Sequence, residues 1–282
     1  MENNTKKKWV TKNSGDHAEF SEKKLRRSLE KSGAGEEDIQ YIIFEIIKIL
    51  YQGITTKEIY NKAFALLKSK ARPFAAKYKL KKALMELGPS GFPFEKYIAE
   101  VLSHEGYSTK VGEILQGNCV QHEVDIVGKK GKEYIVVECK FHSDTRRFCD
   151  VKVPLYVNSR FLDLKEYWER KPKNNGKNHN GWLVTNTRFS KDAIQYGTCA
   201  GLYLLSWDFP RKGSLKERID RSGVHPITCM TTLTGKEKKR LLRKMVVLCK
   251  DIRNDESVLT SIGIKGKRAK RIMEEATALY DI

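Results

Sequence analysis

Apolar residues recur at helical spacing over much of the N-terminal third of the chain. Ile39, Ile42, Ile43, Ile46 and Ile47 are separated by three residues or one, which predicts a helix with one apolar face. Two short strand-like runs precede it, on either side of the turn-forming sequence Asn-Ser-Gly-Asp at 13–16, and predict a hairpin. The pattern therefore begins with a small β-hairpin and continues as helices.

Capping residues delimit the other helices of this segment. Ser21 can cap a helix that begins at Glu22, and Thr55 and Glu58 have the spacing of a capping box. The stretch "PFAAKYKLKKALMEL" predicts a last helix, which gives a bundle of about four helices. The stretch "GPSGFPF" at 88–94 breaks the helical pattern and predicts a linker, so we place the first domain at residues 1–88.

Beyond the linker, helical stripes alternate with short apolar runs. "PFEKYIAEVLSHEGY" has helical periodicity, whereas "HEVDIVGKKGKEYIVVECKFH" has the pattern of two strands around a basic turn. A helix over 150–168, a polar loop "KPKNNGKNHNG", a strand "GWLVTNTRFS", a helix "KDAIQYGTCAG" and a strand "LYLLSW" follow. This order predicts a multi-domain α/β protein with a mixed sheet covered by helices at 89–209, and residues 210–282 form a basic helical extension.

The chain is strongly basic, with 54 Lys and Arg residues against 35 Asp and Glu residues and a net charge of +19. A basic surface attracts the phosphate backbone of nucleic acids whatever their sequence, so charge favours a nucleic-acid partner over a merely basic protein. No apolar run approaches the roughly 20 residues of a membrane span. Because the N-terminus also lacks the apolar core of a secretory signal, we expect a cytoplasmic protein with no membrane partner.

A strand with the pattern of a buried one, "EYIVVECKFH" at 133–142, carries Glu138 and Lys140 two residues apart. Side chains alternate along a strand, so Val136, Glu138 and Lys140 share one face and the residues between them share the other. A hairpin around residues 129–132 can bring Asp125 of the preceding strand beside Glu138. Two neighbouring carboxylates repel each other, and a Mg²⁺ ion between them would remove the repulsion.

A lysine beside two metal-binding carboxylates suits hydrolysis of a phosphodiester bond. Lys140 can orient or deprotonate a metal-bound water or neutralise charge on a phosphate, while Mg²⁺, or Mn²⁺ in its place, generates the nucleophile. The alternative is that Glu138 and Lys140 form only an exposed salt bridge of small value.

Around these residues the chain resembles the PD-(D/E)xK nucleases, and more closely the Mrr-like restriction endonucleases, over roughly residues 91–207. The resemblance implies a restriction-endonuclease-like α/β/α fold with Asp125 of "HEVDIV" and Glu138 of "VVECK" as metal ligands and Lys140 as a catalytic residue. It also implies that the backbone of Cys139 can ligate the metal and that Glu95, in the opening helix, assists the site. The stretch "GNCVQHEVD" departs from the family's glycine-rich approach, and Glu138 stands where many Mrr relatives have glutamine.

His122 flanks the predicted site and also forms a lone CxxH pair with Cys119. The histidine can contact a phosphate or a metal, but we prefer a hydrogen-bonded role within the fold. One such pair is weak evidence for zinc, and we interpret it as structural. The chain has six cysteines and no CxxC pair, so reduced thiols are expected.

The first domain resembles the ATP-cone, a regulatory module at the front of many ribonucleotide reductases and in the repressor of their genes. The resemblance covers about residues 8–87 and rests on "VTKNSGDHAEFSEKKL", "GITTKEI" and "FAAKYKLKKA". It implies binding of ATP or dATP without hydrolysis and a change of oligomeric state, so a homo-oligomer is expected. The residues assigned to nucleotide binding are Val10, Lys12, Phe20, Ser21, Lys24 and Thr56.

The N-terminal segment and the C-terminal tail each leave an alternative interpretation open. The chain contains no GxxxxGK[ST] loop, which argues against a P-loop ATPase, and a small helical domain with solvated lysines is the alternative to a sensor. In the tail, "SIGIKGKRAKRI" half-matches a helix-hairpin-helix, with Lys265 where a second glycine is expected. A charged pair of surface helices is the alternative there.

The sequence therefore predicts a Mg²⁺-dependent DNA endonuclease whose activity or assembly responds to ATP or dATP. Defence against foreign DNA is an expectation by analogy. A non-enzymatic, nucleotide-responsive DNA-binding regulator is the alternative, and cleavage of RNA or structured DNA stays open.

Overall fold

The computed structural model describes residues 8–12, 15–172, 176–253 and 255–280, and it contains two β-sheets surrounded by helices. The strands are β1 (Trp9–Thr11), β2 (His17–Glu19), β3 (Ile54–Thr55), β4 (Ser108–Gln116), β5 (Gln121–Lys130), β6 (Glu133–Lys140), β7 (Asn178–Thr185) and β8 (Tyr203–Leu205). The helices are α1 (Glu22–Glu30), α2 (Glu36–Ile49), α3 (Thr56–Lys70), α4 (Arg72–Tyr78), α5 (Leu80–Met85), α6 (Phe92–His104), α7 (Lys152–Glu169), α8 (Lys191–Cys199), α9 (Leu215–Ser222), α10 (Gly235–Arg243), α11 (Lys250–Arg253), α12 (Glu256–Thr260) and α13 (Gly266–Tyr280). None of these helices, which are those of the described ranges, is long and apolar enough to cross a bilayer.

The N-terminal part combines a three-stranded sheet with α1–α4 around a core of its own. β1 pairs antiparallel with β2, which confirms the predicted hairpin. Asn13 and Ser14 of the predicted turn lie outside the described residues. β3 pairs parallel with β1, and the sequence pattern did not predict this two-residue strand because it is too short to show a period.

The predicted helix caps of this part are present. Ser21 accepts a hydrogen bond from the backbone N–H of Lys24, and Thr55 and Glu58 form the reciprocal capping box. The predicted last helix is divided into α4 and α5 at Lys79. The chain passes from one core to the other near this division: Ala75 of α4 lies in the N-terminal core, whereas Ala76 and the buried side chains of α5 lie in the large core of the protein.

The larger sheet has the order β4-β5-β6-β7-β8, with antiparallel pairing from β4 to β6 and parallel pairing from β6 to β8. Helix α6 and the C-terminal helices pack against one face through the large core, and α7 and α8 pack against the other. The mixed sheet covered by helices is therefore confirmed. The sequence did not predict β4, because its side chains alternate between exposed and half-buried and Ile114 is 70% exposed. β7 begins at Asn178, inside the predicted polar loop, of which residues 173–175 lie outside the described ones.

The C-terminal region is helical, as predicted, and the stretch from Leu233 to Ile252 contains two helices, α10 and α11. Between α10 and α11 the chain turns at Met245, which has a φ of +60°. The following backbone then bonds to an earlier segment: Ile227 N–H donates to the Val247 carbonyl and Cys249 N–H to the His225 carbonyl. These long-range hydrogen bonds replace the helical ones that a continuous helix would have made.

Candidate active site

Strands β5 and β6 part at Asp125. Their ladder ends at the pair Ile126 and Val137. One residue further, Asp125 Oδ2 accepts a hydrogen bond from the backbone N–H of Cys139 at 2.6 Å. A carboxylate therefore stands where a continuing ladder would have supplied a main-chain carbonyl. The predicted hairpin is confirmed, and it ends at the predicted aspartate.

The twist of β5 at this point is visible in its packing. Val124 and Ile126 would share one face of a regular strand, yet they lie in different apolar clusters. On β4, Gly112 lies between Val111 and Glu113, which pair with Ile126 and Val124. It has a φ of +69°, a conformation that glycine adopts without strain. The strand thus turns its carboxylate toward the end of β6.

Side chains of β6 alternate as predicted. Ile135, Val137 and Cys139 contact the large core, whereas Val136 packs with Leu164 of α7. Glu138 therefore lies toward α7.

There, Arg160 Nη1 donates to Glu138 Oε2 at 2.7 Å. Arg160 also donates to the carbonyl of Glu123 and lies over the ring of Tyr156, 5.4 Å from its centroid. One guanidinium thus ties α7 to the ends of β5 and β6.

Three predicted carboxylates influence one another's ionisation. Burial, and then the charge of Asp125, raises the pKa of Glu138 to about 7, and the nearby Arg160 and Lys140 do not offset the rise. Burial also raises the pKa of Asp125, although the Cys139 N–H favours its ionised form. Glu95, in the first turn of α6, has its pKa raised to about 7 by burial and by the charges of Asp125 and Glu138. The structure therefore brings Glu95, Asp125 and Glu138 into one electrostatic neighbourhood.

Lys140 ends β6 with an exposed side chain. Its backbone carbonyl accepts a hydrogen bond from Thr185 Oγ1 at 2.7 Å, which fixes the strand end. Within the described part of the chain, Lys140 Nζ forms no hydrogen bond or ion pair, but its charge lowers the pKa values of Asp125 and Glu138 against the effect of their burial. The ammonium is therefore close enough to act on the carboxylates and accessible from outside.

The donors fit magnesium by their chemistry. Asp125 and Glu138 supply the hard oxygen ligands that Mg²⁺ prefers, and a cation would relieve their mutual repulsion. In the described ranges, however, no three His, Cys, Asp or Glu side chains are grouped closely enough to hold a metal ion. Glu138 is instead paired with Arg160.

Two residues that position the site were not identified from the sequence. Arg160 is one of them. The sequence pattern that could have identified it is a basic residue next to the apolar face of α7, between Val157 and Phe161. The fully buried Asn186 is the other. Its side chain accepts the N–H of His142 at 2.9 Å and donates to the same residue's carbonyl at 2.8 Å, which holds the chain just beyond Lys140.

His122 hydrogen-bonds within the fold, which agrees with the preferred interpretation. Its Nε2 lies 2.7 Å from Asp163 Oδ2. The hydrogen bond from His122 holds the pKa of Asp163 at about 2, with further help from the Cys119 N–H. The aspartate on α7 therefore organises the β4–β5 turn, and Gly117 in that turn leaves no room for a side chain, since a Cβ there would lie 2.1 Å from Asp163 Oδ2.

The six residues assigned to nucleotide binding lie around the small sheet. Val10 is buried in the N-terminal core and Phe20 packs against it. Because Thr11 pairs with Thr55 in parallel strands, Lys12 and Thr56 follow at the same end of the sheet. Ser21 and Lys24 follow β2, which runs the other way, and therefore lie toward the opposite end.

Fold and site together define a mixed α/β protein with acidic side chains gathered where two strands of its main sheet part. The family described as AF1548-like, C-terminal, matches residues 225–280. An uncharacterized protein of Archaeoglobus fulgidus is 32% identical over 180 residues, which are 64% of this chain and 97% of that protein. The chain belongs to the AF1548-like family.

Two solved structures are similar in part. The crystal structure of AF1548, a protein of unknown function, superposes with a TM-score of 0.55 and 30% identity, covering 68% of this chain and 99% of that one. The MspJI restriction endonuclease in complex with a 27-mer oligonucleotide gives a TM-score of 0.29 and 14% identity, over 81% of this chain and 45% of that one. A score this low carries no argument about fold or function, so the resemblances to Mrr-like nucleases and to the ATP-cone stay predictions.

Proposed function

We propose that the protein is a metal-dependent endonuclease that hydrolyses phosphodiester bonds of DNA. The observation that carries the proposal is the meeting of Asp125 and Glu138 where β5 leaves β6, with Glu95 in electrostatic reach. Lys140 follows Glu138 on the same strand with its ammonium exposed. A strand end that gathers carboxylates and one accessible cation is suited to phosphate chemistry.

Each residue has a distinct role in this proposal. Asp125 and Glu138, with the backbone of Cys139, would hold Mg²⁺ or Mn²⁺, and the bound ion would supply a water nucleophile and stabilise developing charge. Lys140 neutralises the phosphate that approaches the strand end. Glu95, with a pKa of about 7, can take up or release a proton near neutral pH.

Regulation by ATP or dATP belongs to the same proposal. Within the N-terminal segment 1–88, the small sheet and α1–α4 would act as the sensor, whereas α5 packs in the large core. Residues 89–209 would act as the nuclease and 210–282 as a basic DNA-binding extension. The separate sheet and core of the N-terminal part and the net charge of +19 support this division of labour. Lys12 and Thr56, at one end of the small sheet, are the first residues to test for nucleotide contact.

Plasmid cleavage tests the proposal. Wild type with Mg²⁺ should nick or linearise supercoiled DNA, and Glu138→Gln should lose about a hundredfold or more of that rate because it removes a metal ligand. Glu113 is a carboxylate on β4 of the same sheet with a side chain that is 39% exposed, so Glu113→Gln is the matched control and should cleave like wild type. Equal cleavage by wild type and Glu138→Gln would remove the site assignment. Addition of ATP or dATP should change the wild-type rate but not that of Lys12→Ala.

One observation favours the regulator as a second candidate. Arg160 Nη1 lies 2.7 Å from Glu138 Oε2, so Glu138 has a partner of opposite charge without a metal. A protein that binds duplex DNA, cleaves none with Mg²⁺ or Mn²⁺, and changes its DNA affinity with ATP or dATP would fit that reading instead.

A further inference from the structure

A cavity of about 410 Å³ lies where α3, α5 and the beginning of α10 meet, away from the carboxylates of the main sheet. Apolar residues such as Phe64 and Leu242 form part of its wall. The charged groups of the lining are five lysines and one glutamate, namely Lys68, Lys79, Lys82, Lys238, Lys239 and Glu86. The cavity therefore carries a marked surplus of positive charge.

Lys238 is the unusual member of this set because it is only 7% exposed. Its Nζ donates to the Thr228 carbonyl at 2.9 Å, and Lys79 Nζ donates to the same oxygen at 3.0 Å. Two ammonium groups thus share one neutral acceptor, and Glu86 pairs with Lys79 at 2.7 Å. Burial and then the charge of Lys79 lower the pKa of Lys238, as expected for a buried ammonium group that lacks a carboxylate of its own.

The acidic residues nearby are committed to other partners. Glu237 forms the capping box of α10 with the N-cap residue Thr234, and it also pairs with Arg268. Glu275 accepts the backbone N–H groups of Thr231 and Thr232. Within the described ranges, neither carboxylate forms an ion pair with a lysine of the cavity.

A second observation at the same cavity points to a ligand. Thr231 lines it, and Thr231 Oγ1 is buried without a hydrogen-bond partner among the described residues. Buried hydroxyls are normally paired, so the Thr231 hydroxyl adds a polar group that a ligand or a bound water can satisfy beside the ammonium groups.

We propose that this cavity binds the phosphate chain of a small molecule, an oligophosphate or a nucleotide polyphosphate. Phosphate oxygens offer several charged acceptors, which the ammonium groups and the free hydroxyl can satisfy together. The volume is that of a small-molecule site, and a DNA duplex is too wide to bring its phosphates to the buried Lys238. The site does not depend on the proposed nuclease residues or on Lys12.

Binding here would also join parts of the chain that are far apart in sequence. The ligand would contact α3 of the N-terminal part and α10 of the C-terminal region at once. Occupancy would therefore stabilise their packing, and the cavity offers a route by which a phosphorylated metabolite acts on both.

Calorimetry on the full chain tests the proposal, with inorganic tripolyphosphate, ATP and a short DNA duplex as probes. Tripolyphosphate and ATP should bind wild type, and Lys238→Met should weaken the binding of tripolyphosphate about tenfold or more, since it removes a charged donor. ATP binding at Lys12 would be retained in this variant, so tripolyphosphate is the deciding probe. Lys236→Met is the matched control on the same helix, exposed and outside the cavity, and should bind like wild type. If Lys238→Met does not fold, the exposed pair Lys82→Glu and Lys239→Glu replaces it, with the same weakening expected.

The outcomes separate this proposal from the others. Glu138→Gln should bind tripolyphosphate like wild type, whether or not it cleaves DNA. Absence of tripolyphosphate binding to wild type, or equal weakening by Lys236→Met, would overturn the proposal. It would also fail if Lys12→Ala abolished binding of both small probes while Lys238→Met left it unchanged. Displacement of tripolyphosphate by duplex DNA, with DNA affinity lost in Lys238→Met, would reassign the cavity to the nucleic-acid backbone.

Discussion

Replacing Glu138 with glutamine should stabilise the protein more at pH 8 than at pH 5 when divalent ions are absent. Glu138 has an ordinary pKa of 4.5 in an unfolded chain and a pKa of about 7 in the fold. A raised pKa means that folding favours the protonated carboxyl. Wild type therefore keeps the contribution of this group below pH 4.5 and loses it as the pH rises through 7, whereas the neutral amide does not titrate.

The size of the effect follows from the shift. Each pKa unit corresponds to about 1.4 kcal/mol, so the free energy of unfolding of the variant relative to wild type should rise by roughly 2 kcal/mol between pH 5 and pH 8. The side chain is 24% exposed, which reduces this value by screening. Loss of the carboxylate also lowers the pKa of Glu95, which acts in the same direction.

Urea denaturation at the two pH values measures this difference, with Glu113→Gln as the control. The Glu113 side chain is 39% exposed, so replacing it should change the free energy of unfolding by only a few tenths of a kcal/mol. Mg²⁺ added at pH 8 should stabilise wild type and leave Glu138→Gln unchanged, because the ion would relieve the repulsion between Asp125 and Glu138. A difference for Glu138→Gln that stays constant or falls with rising pH would refute the electrostatic reasoning.

Three further predictions concern the scaffold of the site. Gly117→Ala should lower the free energy of unfolding by about 2 kcal/mol or more, since its Cβ would collide with Asp163. In the control Gly235→Ala the new Cβ meets no atom, so thermal stability should change little. Equal melting temperatures of the two variants would contradict the close approach at Gly117. Asp163→Asn should destabilise the protein at pH 7, because the hydrogen bond from His122 keeps the pKa of Asp163 low. The difference in free energy of unfolding between this variant and wild type should shrink as the pH falls from about 4 to about 2. A difference that is constant with pH would refute this. Thr55→Ala should cost about 1 kcal/mol in urea denaturation through loss of the cap of α3, and no loss would show that the cap is dispensable.

Local patterns in the sequence were sufficient for part of the fold and the site. The starts of α1 and α3 followed from their capping residues, and the β5–β6 hairpin followed from strand runs around a turn. Because alternation along β6 fixes which side chains share a face, the nearness of Asp125 and Glu138 could also be predicted.

The rest depends on contacts between distant parts of the chain. β4 lies at the edge of the sheet with exposed apolar residues, so its pattern does not differ from that of a loop. The break at Met245 comes from hydrogen bonds to residues 225–227, which no local period reveals. Arg160 reaches Glu138 across 22 residues of sequence, and only packing of α7 on the sheet brings them together.

Helix α5 lies C-terminal to the N-terminal helices in sequence, but it belongs to the large core by packing. Leu80, Ala83, Leu84 and Leu87 are fully or almost fully buried with residues of α6 and the C-terminal helices, and Thr228 Oγ1 donates to the Ala83 carbonyl at 2.7 Å. Cutting the chain at residue 88 would therefore remove these four side chains, and also Ala76 of α4, from that core. A chimaera that replaces the N-terminal part should therefore place its junction before α5. The boundary between the two parts, judged by packing, lies upstream of the stretch "GPSGFPF".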